Sequence, residues 1–131
     1  MIGRRIALMV LAMVLALNAA GCVAAAAAGA AAGAGGYAWA SGKLTFTTAH
    51  PVGETHSAVL SAFEDLEIEL RQDRVSTVGG TVKGLTAANE TVTIDLAPLA
   101  RDITDVEIRV GFWGNQYKEA KIAEAIERHL R

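Results

Sequence analysis

Alternation of apolar and polar residues, repeated in several short segments, constrains the fold of this chain more than any other feature. The clearest case runs from Thr104 to Phe112, and its apolar members are Val106, Ile108, Val110 and Phe112. A period of two residues is typical of a strand with one buried face, since successive side chains point to opposite sides of a sheet. A sheet of such strands needs a second layer to cover its apolar face.

Four further segments have the character of strands, and short turns separate most of them. They are Ser41–Thr48, Glu67–Gln72, Thr81–Leu85 and Thr91–Leu96. Gly79-Gly80 and Ala88-Asn89 are turn sequences, and strands that are joined by short turns pair antiparallel. Because the strands alternate, one face of the predicted sheet is covered and the other faces water.

Two amphipathic helices supply the cover for the apolar face. The first follows Pro51, a residue that suits the first turn of a helix, and has apolar residues at helical spacing for about fourteen residues from Val52. The second runs from about Gln116 to Leu130, with Asn115 as a good N-cap. The sequence therefore predicts an α+β fold, an antiparallel sheet of four to five strands with two helices on one face, in the order β-α-β-β-β-β-α.

The N-terminal segment has the three parts of a secretory signal. Arg4-Arg5 precede an apolar run from Ile6 to Leu17, and small residues follow up to Cys22. The pair Gly21-Cys22 resembles the lipobox of bacterial lipoproteins, although Ala19 stands where leucine is usual. This resemblance implies that the signal is removed, that the thiol of Cys22 carries diacylglycerol, and that the new N-terminus is acylated, with palmitate as a typical chain.

The same segment predicts the organisation and location of the protein. We expect a lipoprotein signal peptide over residues 1–21, a lipidated Cys22 with an Ala/Gly tether over 22–40, and a small periplasmic α+β domain over 41–131. Two or more acyl chains hold a protein firmly on a membrane. Val23 stands where an aspartate often signals inner-membrane retention, so the expected location is the bacterial cell envelope, at the outer membrane facing the periplasm.

An uncleaved membrane helix is the main alternative to the lipid anchor. No charged residue lies between Arg5 and Lys43, and this uncharged stretch is long enough to span a membrane. The second half of this stretch is nearly all alanine and glycine, however, and has a weak hydrophobic drive. The apolar run from Ile6 to Leu17 is too short to cross a bilayer. We therefore expect attachment through lipid.

Charge and cysteine content exclude several classes of function. The net charge is −2, and loss of residues 1–21 removes Arg4 and Arg5 but no acidic residue, which leaves −4. A mildly acidic domain without a basic run has no electrostatic footprint for nucleic acid. With its one cysteine acylated, the mature protein has no thiol for a disulfide, a metal or redox chemistry.

Four stretches carry a resemblance to a known family. They are Gly21-Cys22, the Gly/Ala tract that runs into Tyr37-Ala38, the run Ser41-Gly42-Lys43-Leu44, and the segment from Ile108 to Asn115. Together they resemble short bacterial lipoproteins that contain the domain of unknown function 3568, over nearly the whole mature chain. The resemblance implies an envelope lipoprotein without an assigned activity, and it transfers no catalytic or binding residue.

No grouping of residues has the pattern of a catalytic or metal site. His50, His56 and His129 lack a second histidine or a cysteine at the spacing of zinc ligands. The acidic cluster that begins at Glu64-Asp65 fits no calcium loop, and neither a phosphate-binding glycine loop nor a serine elbow is present. We expect no catalytic residue, no metal and no cofactor. His56 lies in the apolar stripe of the first helix, which favours a partly buried core histidine.

Trp113 is the main candidate for a binding residue. If Phe112 points to the core, Trp113 falls on the opposite side of the strand, together with Glu107 and Arg109. An exposed tryptophan between glycines is typical of an anchor for a partner, whereas packing over the end of the sheet is the other interpretation. We predict a non-enzymatic binding or scaffolding module for an envelope protein, with Trp113, Arg109 and Glu107 as the partner surface.

Two other classes of function stay open. One is a periplasmic hydrolase whose site is built from single residues such as His56 and Glu64. The other is a structural lipoprotein that oligomerises in the membrane through its Ala/Gly tract, where Gly29 and Gly33 form one GxxxG spacing. Substitution of His56, or of the two glycines, distinguishes these classes from a binding module.

Overall fold

The computed structural model describes residues 1–16 and 36–131. The chain forms two compact units, Met1–Ala31 and Ala32–Arg131. In the first unit, helix α1 covers residues 2–16. The predicted lipidation site Cys22 and the glycine pair Gly29 and Gly33 lie outside the described residues. Within the described ranges, no helix has both the length and the apolar character that crossing a membrane requires.

The second unit is one antiparallel sheet with two helices on one of its faces. Its elements are β1 (Ala38–Ala40), β2 (Lys43–Thr48), α2 (Val52–Asp65), β3 (Glu69–Ser76), β4 (Gly79–Leu85), β5 (Thr91–Ala100), β6 (Ile103–Val110) and α3 (Gln116–Arg128). The strands lie in the order β1-β2-β6-β5-β4-β3, so β1 and β3 form the two edges. Strand β2 pairs with β6 although α2 and three strands separate them in the chain.

The predicted architecture of four to five strands and two helices, in the order β-α-β-β-β-β-α, is wrong. The described residues form six strands and three helices in the order α-β-β-α-β-β-β-β-α. Strand β1 has three residues, which is too short to show an alternating pattern, and its place in the sheet comes from pairing with β2. The first helix, α1, lies in the N-terminal segment, which the predicted order did not include because that segment is expected to be a signal peptide.

The core lies between the sheet and the two helices α2 and α3. Leu44 of β2 and Ile94 of β5 both pair with Ile108 of β6, so one buried apolar row crosses the centre of the sheet. Phe63 of α2 and Ile126 of α3 belong to the same buried cluster. Burial of one such side chain contributes about 1.5–3 kcal/mol to stability. The alternation in these strands therefore decides which face of the sheet receives the helices.

Tyr37 attaches the segment immediately before β1 to this core. Its ring packs edge to face on Phe46 with 5.7 Å between centroids, and its hydroxyl donates to Oε2 of Glu127 at 2.8 Å. Burial raises the pKa of the Tyr37 hydroxyl, and the hydrogen bond to Glu127 raises it further. The hydroxyl therefore stays protonated at neutral pH and remains a donor to α3.

One end of the sheet brings together two connections that are distant in sequence. The turn between β1 and β2 contains Ser41 and Gly42, and the loop between β6 and α3 covers residues 111–115. Strand β6 ends at Val110, two residues beyond the point where Ile108 pairs with Leu44. The β1–β2 turn and the β6–α3 loop therefore lie side by side.

Candidate functional site

Large aromatic side chains are exposed where the β1–β2 turn meets the β6–α3 loop. Phe112 is 81% exposed and Trp113 is 85% exposed, and Trp39 of β1 and Tyr117 of α3 are also exposed. We call these four residues the aromatic end of the domain. Exposed aromatic groups on a small domain are typical of interaction sites, because aromatic residues are enriched at interfaces relative to other surfaces.

The alternation of the strand predicts that Phe112 points to the core, but in the structure Phe112 is exposed. Strand β6 ends at Val110, and Gly111 has a φ of +73°, which turns the chain out of the sheet. Phe112 and Trp113 then pack on each other edge to face, with ring centroids 4.9 Å apart. Of the two interpretations of Trp113, the structure supports exposure rather than packing over the end of the sheet.

Two glycines allow the backbone of the loop to lie directly on the backbone of the turn. A Cβ atom on Gly42 would collide with the carbonyl oxygen of Trp113, and one on Gly114 would collide with the carbonyl oxygen of Gly42. Their φ angles are +76° and +85°, in the left-handed region that favours glycine. The loop that carries Trp113 is therefore held against the β1–β2 turn without intervening side chains.

A buried carboxylate closes the β6–α3 loop from below. Glu119 is fully buried, and its Oε2 accepts hydrogen bonds from the backbone N–H groups of Val110 at 3.0 Å and Asn115 at 2.8 Å. These two donors stand immediately before and after residues 111–114, so a single oxygen joins the two ends of the loop. The other oxygen, Oε1, has no hydrogen-bond partner within the described part of the chain.

Glu119 was not predicted as a functional residue, although the sequence contains a signal for it. Glu119 stands at helical spacing from Ile122, Ala123 and Ile126, which are buried on the inner face of α3. A charged residue at a core position is rare unless hydrogen bonds or a partner compensate it. Glu119 also lies four residues after Asn115, in the first turn of α3. Asn115 is the N-cap, as predicted, and its side chain accepts a hydrogen bond from the N–H of Lys118.

The other two residues of the predicted partner surface, Arg109 and Glu107, bind the β1–β2 hairpin. Nη2 of Arg109 donates to the carbonyl oxygen of Ser41 at 2.9 Å, and Glu107 forms an ion pair with Lys43. Both lie half-buried on the open face of the sheet. Arg109 and Trp113 thus contact the same turn, and the contacts of Arg109 and Glu107 position that turn.

One carboxyl group on the open face of the sheet, that of Asp105, has a raised pKa. Asp105 lies on β6 and accepts a hydrogen bond from Thr47 Oγ1 at 3.3 Å. Partial burial raises the pKa of Asp105, the hydrogen bond from Thr47 opposes this shift, and the nearby charge of Glu107 adds to it. Burial has the largest effect.

Each of the three histidines contacts a carboxylate, and α2 takes part in all three contacts. His50 lies 2.9 Å from Glu54, His56 lies 2.8 Å from Asp73, and His129 lies 2.6 Å from Asp65. His56 is half-buried, which agrees with the predicted position at the edge of the core.

The residues named for a hydrolase are not joined in the structure. Glu64 is exposed, and no hydrogen bond between His56 and Glu64 is present in the residues described. No three histidine, aspartate or glutamate side chains in residues 1–16 and 36–131 are grouped so that they hold a metal ion.

Comparison with known proteins agrees with the resemblance seen in the sequence. A family model described as "Protein of unknown function (DUF3568)" matches residues 5–129. No match to the chain is found among curated proteins. The match confirms the predicted family, and the lipoprotein character that we expected for it stays a prediction.

Replacement of the buried carboxylate should destabilise the domain strongly. Glu119→Ala leaves the buried N–H group of Val110 and the half-buried N–H group of Asn115 without their acceptor, and an unsatisfied buried donor costs about 1–3 kcal/mol. We expect the free energy of unfolding, measured by urea denaturation, to fall by about 2–5 kcal/mol. Glu124→Ala on the exposed face of α3 is the control and should change stability by less than about 0.5 kcal/mol. Equal effects of the two variants would contradict the role of Glu119.

The raised pKa of Asp105 predicts a specific dependence of stability on pH. A raised pKa means that the folded state binds the proton more tightly than the unfolded state, so stability increases as the pH falls through that pKa. Asp105→Asn should therefore have a higher melting temperature than the wild type at pH 7. The difference should vanish near about pH 3, where the carboxyl group is protonated in both states. A lower melting temperature for Asp105→Asn at pH 7 would refute this prediction, and Asp102→Asn on an exposed turn is the control.

Proposed function

We propose that this chain, which belongs to the DUF3568 family of proteins of unknown function, is a membrane-anchored envelope lipoprotein. Its folded domain is a non-enzymatic binding or scaffolding module. Lipid on Cys22 attaches the protein to the outer membrane, where its folded domain faces the periplasm. The aromatic end binds an envelope protein. The exposure of Phe112 and Trp113 on a firmly held loop is the observation that supports this function most directly.

The aromatic end has the properties of a binding surface. The contacts of Phe112 and Trp113 with each other leave most of both rings in water, where their apolar area adds nothing to folding. The loop is held at both ends by Glu119 and along its length by Gly42. A loop that is ordered before binding loses little conformational freedom in a complex, and buried tryptophans carry much of the energy of interfaces.

The predicted partner surface has two kinds of residue. Trp113 is free to contact a partner, whereas Arg109 and Glu107 are engaged with Ser41 and Lys43. We assign direct contact to Trp113 and Phe112. Arg109 and Glu107 are positioning residues, because they hold the hairpin on which the Trp113 loop rests.

One feature of the sequence and one feature of the structure support the lipid anchor. Cys22 follows a small residue at the end of an apolar run that begins after Arg4-Arg5. In the first unit, apolar side chains of α1 such as Leu8, Leu11 and Leu15 are exposed. Exposed leucines on one short helix are typical of a segment that a translocation machinery or a membrane receives.

Metabolic labelling tests the anchor. Cells that express the protein are grown with labelled palmitate, and we expect the label to appear on the wild type and to be absent from Cys22→Ser. The chain has one cysteine, so no other thiol is present to accept the lipid. Label on Cys22→Ser equal to that on the wild type, or no label on either protein, would exclude lipidation at Cys22.

Site-specific crosslinking tests the binding surface. A photoreactive amino acid replaces Trp113 in one strain and Val78 in another. Val78 is 80% exposed and lies in the β3–β4 turn, at the opposite end of the sheet. We expect a defined crosslinked protein from position 113 and none from position 78, since both side chains are equally accessible but only one belongs to the aromatic end.

The same experiment in the Cys22→Ser background shows whether the partner lies in the envelope. We expect the crosslink from position 113 to weaken strongly there, because the unanchored protein is no longer concentrated at the membrane. Identical crosslinking from positions 113 and 78, or none from either, would reject the aromatic end as the binding surface.

A further inference from the structure

A depression of about 300 Å³ lies between the aromatic end and the start of α3. Trp39 and Trp113 line it from the two connections, and Gly42 and Gly114 form part of its wall. Glu119 also lines it, from the first turn of α3. Both tryptophans of the protein are therefore at this depression.

The carboxylate at this depression is only partly compensated. Oε2 of Glu119 accepts two backbone hydrogen bonds, whereas Oε1 exposes almost no area and has no partner among the described residues. None of the ion pairs formed by residues 1–16 and 36–131 includes Glu119. A buried charge is costly unless an opposite charge or a full set of hydrogen bonds accompanies it. The carboxylate of Glu119 therefore has no cationic partner within the described residues.

Three basic side chains of β6 and α3 have other partners. Arg109 donates to the carbonyl oxygen of Ser41, Lys118 pairs with Glu90, and Lys121 lies 4.9 Å from the centre of the Tyr117 ring. Among the described residues, none of these three cations forms an ion pair or a hydrogen bond with Glu119. The negative charge of Glu119 is thus available to a cation from outside the chain.

Indole rings beside a carboxylate form a suitable environment for an organic cation. The face of an aromatic ring attracts an ammonium group, and tryptophan attracts it most strongly. Attraction between unit charges in a partly buried site is also several times stronger than in water. An anion, in contrast, is repelled by Glu119.

We propose that the depression binds an ammonium group, held between Trp39 and Trp113 by the buried charge of Glu119. The cation sits in the depression above the carboxylate, since Oε1 itself is closed to solvent. The natural carrier of this group is a lysine side chain of the protein that the aromatic end binds. In this respect the inference rests on the proposed function, but its test needs neither the anchor nor the partner.

Titration of the purified full chain in detergent with small probes tests the site. Nα-acetyl-lysine methylamide carries the ammonium group, and Nα-acetyl-norleucine methylamide has the same aliphatic chain without it. Binding is measured by calorimetry and by the emission of Trp39 and Trp113. We expect the lysine probe to bind at least about tenfold more tightly than the norleucine probe, a difference of about 1.4 kcal/mol. Equal affinity, or no binding of the lysine probe, would overturn the proposal.

Variants then identify the charge that is responsible. Glu119→Gln keeps an acceptor for the N–H groups of Val110 and Asn115 but removes the charge, and we expect at least about tenfold weaker binding of the lysine probe. Glu124→Gln, on the exposed face of the same helix, should bind as the wild type does. Unchanged binding by Glu119→Gln would reject the site. If Glu119→Gln does not fold, Trp39→Leu replaces it, and the same loss is expected.

A free diamine distinguishes the two sources of an ammonium group. 1,4-Diaminobutane has no amide groups, so it should bind more weakly than the lysine probe if the site receives the side chain of a protein. Tighter binding of the diamine would overturn the assignment to a partner protein. Failure of the crosslinking from position 113, together with selective binding of the lysine probe, would reject the proposed function and leave the ammonium site intact.

Discussion

One oxygen of the Glu119 carboxylate accepts hydrogen bonds from the backbone N–H groups on both sides of the β6–α3 loop, and the positions of Phe112 and Trp113 depend on it. The carboxylate also joins the end of β6 to the first turn of α3, so it couples the sheet to the helix that covers it. A negative charge near the beginning of a helix is favourable there, because the N-terminus carries a partial positive charge. The loop is therefore held by a buried polar contact rather than by apolar packing.

The β1–β2 hairpin complements this constraint from the other side. It meets the loop through the close backbone contact of Gly42 and Gly114, and Arg109 and Lys43 connect it to the open face of β6. Strand β1 follows Tyr37, which is bound to Phe46 and Glu127. Tyr37, the hairpin and the loop thus form a continuous set of contacts along one edge of the domain.

The proposed function and the proposed ammonium site use the same arrangement in different ways. The rings of Phe112 and Trp113 stay in water at the expense of apolar burial, and Oε1 of Glu119 stays without a partner within the described chain. The exposed rings contribute no apolar burial to folding, and the unpaired oxygen lowers the stability of the isolated domain. Burial of the rings against a partner would add the apolar contribution that folding alone does not provide. Proteins commonly tolerate such local deficits at sites where they bind other molecules.

Residue order alone determined the elements whose signal is local. The alternation from Thr104 to Val110 predicts strand β6 and its buried face, and Asn115 predicts the beginning of α3, because period and capping depend only on nearby residues. Strand β1, the outward turn at Gly111 and the burial of Glu119 were decided by the tertiary structure. Strand β1 exists through its pairing with β2, the loop that leaves the sheet at Gly111 rests on the β1–β2 turn through Gly42 and Gly114, and Glu119 is buried against the N–H groups of Val110 and Asn115. Alternation and capping do not report which segments these contacts join, and the charged residue at a core position of α3 is their only local sign. The sequence therefore indicated Trp113 as a residue of interest, while the fold showed what holds it in place.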